Sequence, residues 1–440
     1  MSARAYKPYA AYKDSGVEWL GEIPAEWEVK RLKVVAPISA AKMIEKPDGT
    51  TYVGLENVES WTSRLLLDNQ PESVDSVVVA FRSGDVLFGK LRPYLAKVAR
   101  PDFDGVCTSE ILPLRPSEEI DGNFLRYALL NAQFIDALNA LTYGTKMPRV
   151  SPDQIGTAPT AVPSLPEQRA IATFLDRETA RIDALVAKKE RLITLLQQRR
   201  TALITRAVTK GLDPAAPMKD SGVEWLGEIP AHWELKPLRT TVISCQNGVW
   251  GDDPDGDRDV VCVRVADFDR VALGVDISDP TLRAIEPRVV AERGLRSGDL
   301  LLEKSGGGEN QPVGAVVIYS HSTTAVCSNF VARVVVSDTC DPQFLVYLHK
   351  ALYAMRVNTR HIKQSTGIQN LDSSSYFGES VGVPTFAEQR VIAAQLARDT
   401  ARIDDLMSRI QAAISRLHEL RTALISAAVT GKIDVREAAQ

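Results

Sequence analysis

The sequence predicts an α+β protein made of two copies of one plan: two α/β domains separated by two long antiparallel coiled-coil helices, with a pseudo-two-fold internal repeat. Three observations predict it. Residues 13–28 (KDSGVEWLGEIPAEWE) recur at 219–234 (KDSGVEWLGEIPAHWE), and only Glu26 and His232 break the identity. Residues 163–183 (PSLPEQRAIATFLDRETARID) recur at 384–404 (PTFAEQRVIAAQLARDTARID), and both stretches run on to a shared RTALI and AVT. Between these paired ends lie two middles, 30–160 and 236–383, that share little. The surviving echoes are RSGD at 82–85 and 296–299, and a cysteine followed by a hydroxyl residue at Cys107 and Cys327.

A chain of 440 residues exceeds what a single core supports. The repeat divides it into a first domain with its leading segment (1–163), a central long helix (164–210), a second domain with its leading segment (211–383), and a C-terminal long helix and tail (384–440).

Each long helix opens on a capping box. Ser164 stands three residues before Glu167 and Thr385 three before Glu388, so a hydroxyl can accept an orphan backbone N–H while the carboxylate reaches back. Gly211 and Gly431 supply the stops. Apolar residues fall at heptad spacing: Ile171, Leu175, Ile182, Leu185, Leu192, Leu196 and Leu203 in the first, and Ile392, Leu396, Ile403, Leu406, Ile410, Ala413, Leu417, Leu420 and Leu424 in the second. A helix over 165–209 is roughly 65–70 Å long, more than one domain requires, so the two are expected to pair with each other as a spacer. The second would then end near the first leading segment and bring the chain ends together. Trp19, Trp27, Trp225 and Trp233 are expected to anchor the leading segments on the helix ends. Arg181, Lys188, Lys189, Arg191, Arg199 and Arg200 are expected to form an exposed basic face toward acidic partner surfaces or phosphates.

The middles mix short β-rich runs (Ser76–Phe81, Asp85–Phe88, Asp259–Val265, Asp299–Leu302, Pro312–Tyr319) with helical stretches at Gly122–Ala140 and Pro342–Arg360. Candidate contacts sit in four loops. Residues 89–94 join Lys90, Arg92 and Tyr94 after a strand, and residues 143–149 carry Lys146 and Arg149; cations beside an aromatic suit phosphate and base-edge contact. Residues 303–311 occupy the place of the first loop in the second middle, where glycines allow close backbone approach, Lys304 and Ser305 can reach phosphate, and Asn310 and Gln311 can pair bidentately with adenine. Residues 360–367 carry Lys363 and Gln364.

Charge and absent motifs limit the function classes. The net charge of −4 argues against a globally basic surface. Positive charge is concentrated in the helices: residues 165–210 hold ten basic and five acidic side chains, whereas 211–386 hold sixteen and twenty-three. Five cysteines form no C-x-x-C pair and the five histidines do not cluster beside them, so no structural zinc site is indicated. There is no GxxxxGK[ST] loop, no GxGxxG fingerprint and no Asn/Asp-Pro-Pro-Tyr/Phe run. The pairs Asp14 with Glu28-Val29-Lys30 and Asp220 with Glu234-Leu235-Lys236 resemble a metal-nuclease motif, but belong to the Trp-rich repeated segment.

The ordered duplication of DSGVEWLGEIPAEWE/DSGVEWLGEIPAHWE, the Pro-x-x-x-Glu-Gln-Arg helix starts and the RTALI-x-x-AVT endings resembles the specificity subunits of type I restriction–modification systems. GKLRPYLAK (89–97) and EKSGGG (303–308) are similar to loops of that family's target-recognition domains. The resemblance implies a non-catalytic, cytoplasmic subunit without cofactor or metal. Its two middles would be target-recognition domains, each reading half of a bipartite site in double-stranded DNA. Its helices would set the gap between half-sites and bind two methyltransferase subunits, with restriction subunits in the full complex and no membrane. The alternatives are a coiled-coil scaffold and a stand-alone DNA-modifying enzyme.

Overall fold

The structure, a computed structural model, describes residues 6–39, 41–68, 71, 74, 76–365 and 367–436, the side chain at 365 excepted. The chain divides into two compact units, residues 1–190 with 411–440 and residues 191–410. The long helices are continuous, Leu165–Lys210 and Phe386–Val429, so each unit contains the front of one and the back of the other.

In the first unit the leading segment forms a two-stranded ribbon, Tyr12–Asp14 against Glu22–Pro24, with Asp14 facing Glu22. Its turn is held by the Asp14 carboxylate, which accepts from Gly16 N at 3.0 Å. Glu28–Arg31 then pairs antiparallel with Pro159–Val162, so the middle is pinned where it begins and where it ends. Between these ends lie a four-stranded sheet (Lys42–Met43, Val78–Phe81, Gly105–Thr108, Tyr52–Val53) and a three-stranded one (Ile111–Leu114, Val86–Gly89, Val98–Ala99). Val86–Gly89 and Ile111–Leu114 are buried along their whole length, as near-continuous apolar runs dictate. The helical stretch expected over 122–140 is two helices, Gly122–Leu129 and Ala132–Ala140, because Asn131 caps a new start by accepting from Gln133 N.

The second unit repeats the plan. Met218–Asp220 pairs with Glu228–Pro230 in the same register, and Glu234–Pro237 with Ser380–Val383. Its middle holds a four-stranded sheet (Val242–Asn247, Val331–Val336, Leu300–Glu303, Val316–Ile318) and a three-stranded one (Leu282–Ala284, Asp259–Val263, Ala325–Cys327). The central strand of the latter runs parallel to Ala325–Cys327, as Tyr52–Val53 runs parallel to Gly105–Thr108 in the first unit. The helix expected over 342–360 stops at Ala354, where Arg356 turns left-handed (φ +60°) into a 3-10 turn at Val357–His361. The strands at Cys107 and Cys327 bury both thiols, and desolvation pushes each up to about 12.

The long helices pair antiparallel within each unit, and of the sixteen heptad positions eight are buried, five half-buried and three exposed. In the first unit Ile171, Phe174 and Leu175 share a core with Ile425, Ala428 and Val429, and further on Asp183 meets Arg421 at 2.9 Å. In the second, Ile204, Ala207 and Val208 share a core with Ile392, Ala393 and Leu396, and Arg200 meets Asp404 at 3.0 Å. Leu192, Leu406 and Leu420, placed in the seam by heptad counting, are 43%, 44% and 50% exposed. Along the buried side run isoleucines eleven residues apart: Ile171, Ile182, Ile193 and Ile204, then Ile392, Ile403, Ile414 and Ile425. Seven of these eight are buried and Ile193 is half-buried. Eleven residues over three turns is 3.67 per turn, so such a stripe drifts about 20° per eleven residues on an ideal helix, less than the ~20° per seven of a strict heptad.

Both helices end as expected on left-handed glycines, Gly211 (φ +75°) and Gly431 (φ +71°). Of the capping boxes, the second forms by half: Thr385 Oγ1 accepts from Glu388 N at 3.3 Å, but the Glu388 carboxylate accepts from Trp233 Nε1 at 3.0 Å instead of reaching back. Trp27 and Trp233 are the buried anchors of the leading segments. Main-chain pairing of Lys7 with Asp434 brings the two ends of the described chain together, as the repeat requires.

Candidate nucleic-acid interface

In each unit the structure brings together the two loops singled out from sequence. In the first, Lys90 N donates to Glu110 O at 2.9 Å and Lys90 O accepts from Val150 N at 3.1 Å. Arg92 N donates to Pro148 O at 2.7 Å, and Tyr143 and Arg149 exchange both main-chain bonds at 3.0 Å. Residues 89–94 and 143–149 thus form one platform. Arg92 takes a left-handed conformation (φ +50°) that starts the Pro93–Leu95 turn. Arg92 and Lys146 are exposed, Lys90 is half-buried and Tyr94 is 45% exposed. Among the described residues, none of these three cations has an anionic partner. Arg149 does: its guanidinium donates through Nε and Nη2 to both Glu110 carboxylate oxygens at 3.2 Å. That pair ties the second loop to the turn at Glu110, whose carbonyl also accepts from Lys90 N of the first.

In the second unit Lys304 N donates to Phe330 O and Lys304 O accepts from Leu371 N, each at 2.8 Å. This is the bonding of Lys90, so Lys90 and Lys304 occupy one place in the common frame. Ser305–Gly306 pairs with Ile368–Leu371, which pairs with Ile362–Ser365, and so the third and fourth loops also meet. Lys304 Nζ donates to Asn247 Oδ1 at 2.8 Å, and Ser305 Oγ lies 2.6 Å from Asn370 Oδ1. Lys363 pairs with Asp372 at 2.7 Å and holds that carboxyl below its ordinary range. Asn310, Gln311 and Gln364 are exposed. Thr366 of the fourth loop lies outside the described residues.

Behind both platforms sits the RSGD echo. Buried Asp85 accepts from Arg82 N at 2.9 Å and from the Arg115 guanidinium at 2.8 Å. Buried Asp299 accepts from Arg296 N at 2.7 Å and from Arg333 Nε at 2.6 Å. A carboxylate that closes its own turn and grips the adjoining strand explains why these four residues survive in both copies.

Sequence reasoning missed three sets of residues. Gln168 and Gln389, in the repeated Glu-Gln-Arg, are buried amides. Gln168 accepts from Asp121 N at 2.7 Å and donates to Pro163 O at 2.9 Å, and Gln389 does the same with Asp341 N and Pro384 O. Each ties the start of a long helix to the N-cap of a domain helix. Arg200, expected on an exposed basic face, is buried: besides Asp404 it donates to Val271 O through Nη2 at 2.6 Å. Its repeat counterpart Arg421 donates to Trp61 O at 2.7 Å besides Asp183. The third set is aromatic, Trp250 and Phe330, which stand 41% and 47% exposed in the second unit. On the helices themselves Arg181, Lys188, Arg191 and Arg199 are exposed, as are Leu192, Leu195, Val391, Leu406 and Leu420. No described helix is long and apolar enough to cross a membrane.

Residues 24–194 match the family model described as the type I restriction modification DNA specificity domain. The chain is 30% identical over 173 residues to the EcoDI specificity subunit of Escherichia coli, a match covering 38% of each chain. It is 20% identical to the StySPI specificity subunit of Salmonella potsdam over 94% of this chain and 90% of that one, and 19% identical to the EcoKI specificity subunit of Escherichia coli (strain K12) over the same shares. Among solved structures, a chain from a type I R-M system complex superposes with a TM-score of 0.70 at 18% identity, covering 92% of this chain and 98% of that one. The HsdS subunit of Thermoanaerobacter tengcongensis gives 0.50 at 19%, over 93% and 98%.

Proposed function

We propose, from the premise that the chain belongs to the specificity-subunit (HsdS) family of type I restriction–modification systems, that it is the non-catalytic DNA-reading subunit of such a complex. The observation that carries the assignment of the reading surfaces is the equivalence of Lys90 and Lys304: one frame, built twice, presents two chemically different loop pairs at the same place. Each middle, carried within residues 1–163 or 211–383, reads one half of a bipartite site in double-stranded DNA. Lys90, Arg92 and Lys146 position the first domain on phosphate, with Tyr94 beside them. Lys304 and Ser305 do so in the second, Lys363 and Gln364 stand beside them with the Lys363 charge matched by Asp372, and Asn310 and Gln311 reach base edges. Arg149 holds the first platform through Glu110.

The helices, within 164–210 and 384–440, set the gap between half-sites. Their exposed leucines and arginines receive two methyltransferase subunits, which restriction subunits join for cleavage, all in the cytoplasm. Co-expression with a methyltransferase subunit, followed by mapping of methylated positions on genomic DNA, tests this. One bipartite motif with a fixed gap is expected. Stable assembly without motif-specific methylation would replace the reading with a scaffold.

A further inference from the structure

The second unit contains a cleft of about 490 Å³ between the third loop and Trp250 and Phe330, in the ~300–1,000 Å³ range of small-ligand sites. Trp250 and Phe330 are its exposed aromatic walls. The Arg283 guanidinium covers the Trp250 ring at 4.7 Å. Its rim is the backbone of Gly306 (φ +113°) and Gly307 (φ +62°), continuous with Lys304 and Ser305. At its floor Ser328 is 1% exposed and its hydroxyl has no partner. A buried hydroxyl left unmatched is unfavourable, and a ligand edge would match it.

Charge narrows the ligand. The lining contains one cation and one anion, and both are committed: Arg264 to Asp267 at 2.8 Å and Glu303 to Arg270 at 2.8 Å. No free cation waits for a phosphate, and the Glu303 carboxylate repels one. A flat, uncharged ring with a polar edge fits: aromatic stacking on the walls and a hydrogen bond to Ser328. The first unit has Glu110 where the second has Phe330, and Arg92-Pro93 where it has Gly306-Gly307, so the cleft stands where the two domains diverge.

We propose that this cleft receives one nucleobase turned out of the duplex at the half-site read by the second domain, stacked against Trp250 or Phe330 with its edge on Ser328. The proposal rests on the DNA-reading assignment. Extrusion costs least where a base is already mispaired, so a mismatch at the extruded position should tighten binding.

The test uses the full chain in complex with its methyltransferase subunits and a duplex carrying the mapped motif, with single mismatches walked across the second half-site. One position is expected at which a mismatch tightens binding about tenfold or more. That gain should vanish in Phe330→Ala and in Trp250→Ala, while melting temperature and first half-site preference stay unchanged. Base extrusion by the methyltransferase itself would not respond to Phe330. Ser328→Ala should change which base is preferred at that position. Salt-dependent, specific binding without any Phe330-sensitive mismatch would overturn the cleft's role and leave the DNA reading intact. So would DNA-free assembly with the methyltransferase that needs Phe330. Absence of salt-dependent duplex binding would instead remove the DNA reading and the cleft proposal together.

Discussion

The two copies of the repeat agree where main chain meets main chain and differ where side chains face outward. Both pin their middle with one antiparallel strand pair, both close the RSGD turn on an arginine, and both seat a lysine by the same two backbone bonds. On that shared seat the first copy builds a platform of free cations braced by Arg149–Glu110, and the second a glycine rim with amides and two exposed aromatics. The difference teaches that the frame determines where the loop surface stands and leaves its chemistry open.

The largest expected effect sharpens the comparison at the helix ends. Both terminal glycines are left-handed, so alanine costs about 1–2 kcal/mol at either. At Gly211 the nearest atom to an added Cβ is 3.5 Å away, whereas at Gly431 the Cβ falls on the Pro24 ring. Gly431→Ala should therefore cost roughly 3–4 kcal/mol against ~1–2 for Gly211→Ala in urea melts. Equal losses would mean the two ends are packed alike.

Acid should separate the units next. Thirteen-residue helix Pro342–Ala354 buries His349, whose imidazole is pushed down to about 4 by desolvation. Position 129, equally far from its N-cap, is leucine, and the first unit's sole histidine is exposed His418. With the folded pKa below the unfolded value of ~6.5, the unfolded chain binds the extra proton between those values. The contribution is complete above pH ~6.5 and lost progressively toward about pH 4, worth ~3 kcal/mol. Hydrogen exchange across that window should show the second unit loosening relative to the first, and His349→Gln should remove the gap.

Smaller effects test the platforms. Lys90→Ala, Arg92→Ala or Lys146→Ala should each lower the slope of log binding constant against log salt by about one. Lys363→Ala should change it least, because Asp372 already balances that charge. A full unit of slope lost at Lys363 would place its ammonium on phosphate despite the pair.

The duplication, the helices and their antiparallel sense were legible in sequence because they are periodic and local. The seam was legible only in part: heptad counting found most of its residues but also took in the exposed Leu192, Leu406 and Leu420 and passed over the eleven-residue isoleucine series, which was equally visible. Arg200 was read as a surface charge because its partner, Asp404, lies 204 residues away. Trp250 and Phe330 gave no signal for the same reason, since a cleft is assembled by folding from strands distant in sequence. Lys90, Arg92 and Lys146 were legible as loop cations, yet only the coordinates separate them from Arg149, whose charge is already matched.

Residues 28–31 and 159–162 hold the first middle by amide and carbonyl groups, which every residue but proline offers in full; Pro159, at the end of the pair, contributes only its carbonyl. Such a seam is indifferent to the identity of what it clasps. A foreign cassette ending in two short strands of matching register could replace the first middle in one step while the long helices remain as they were.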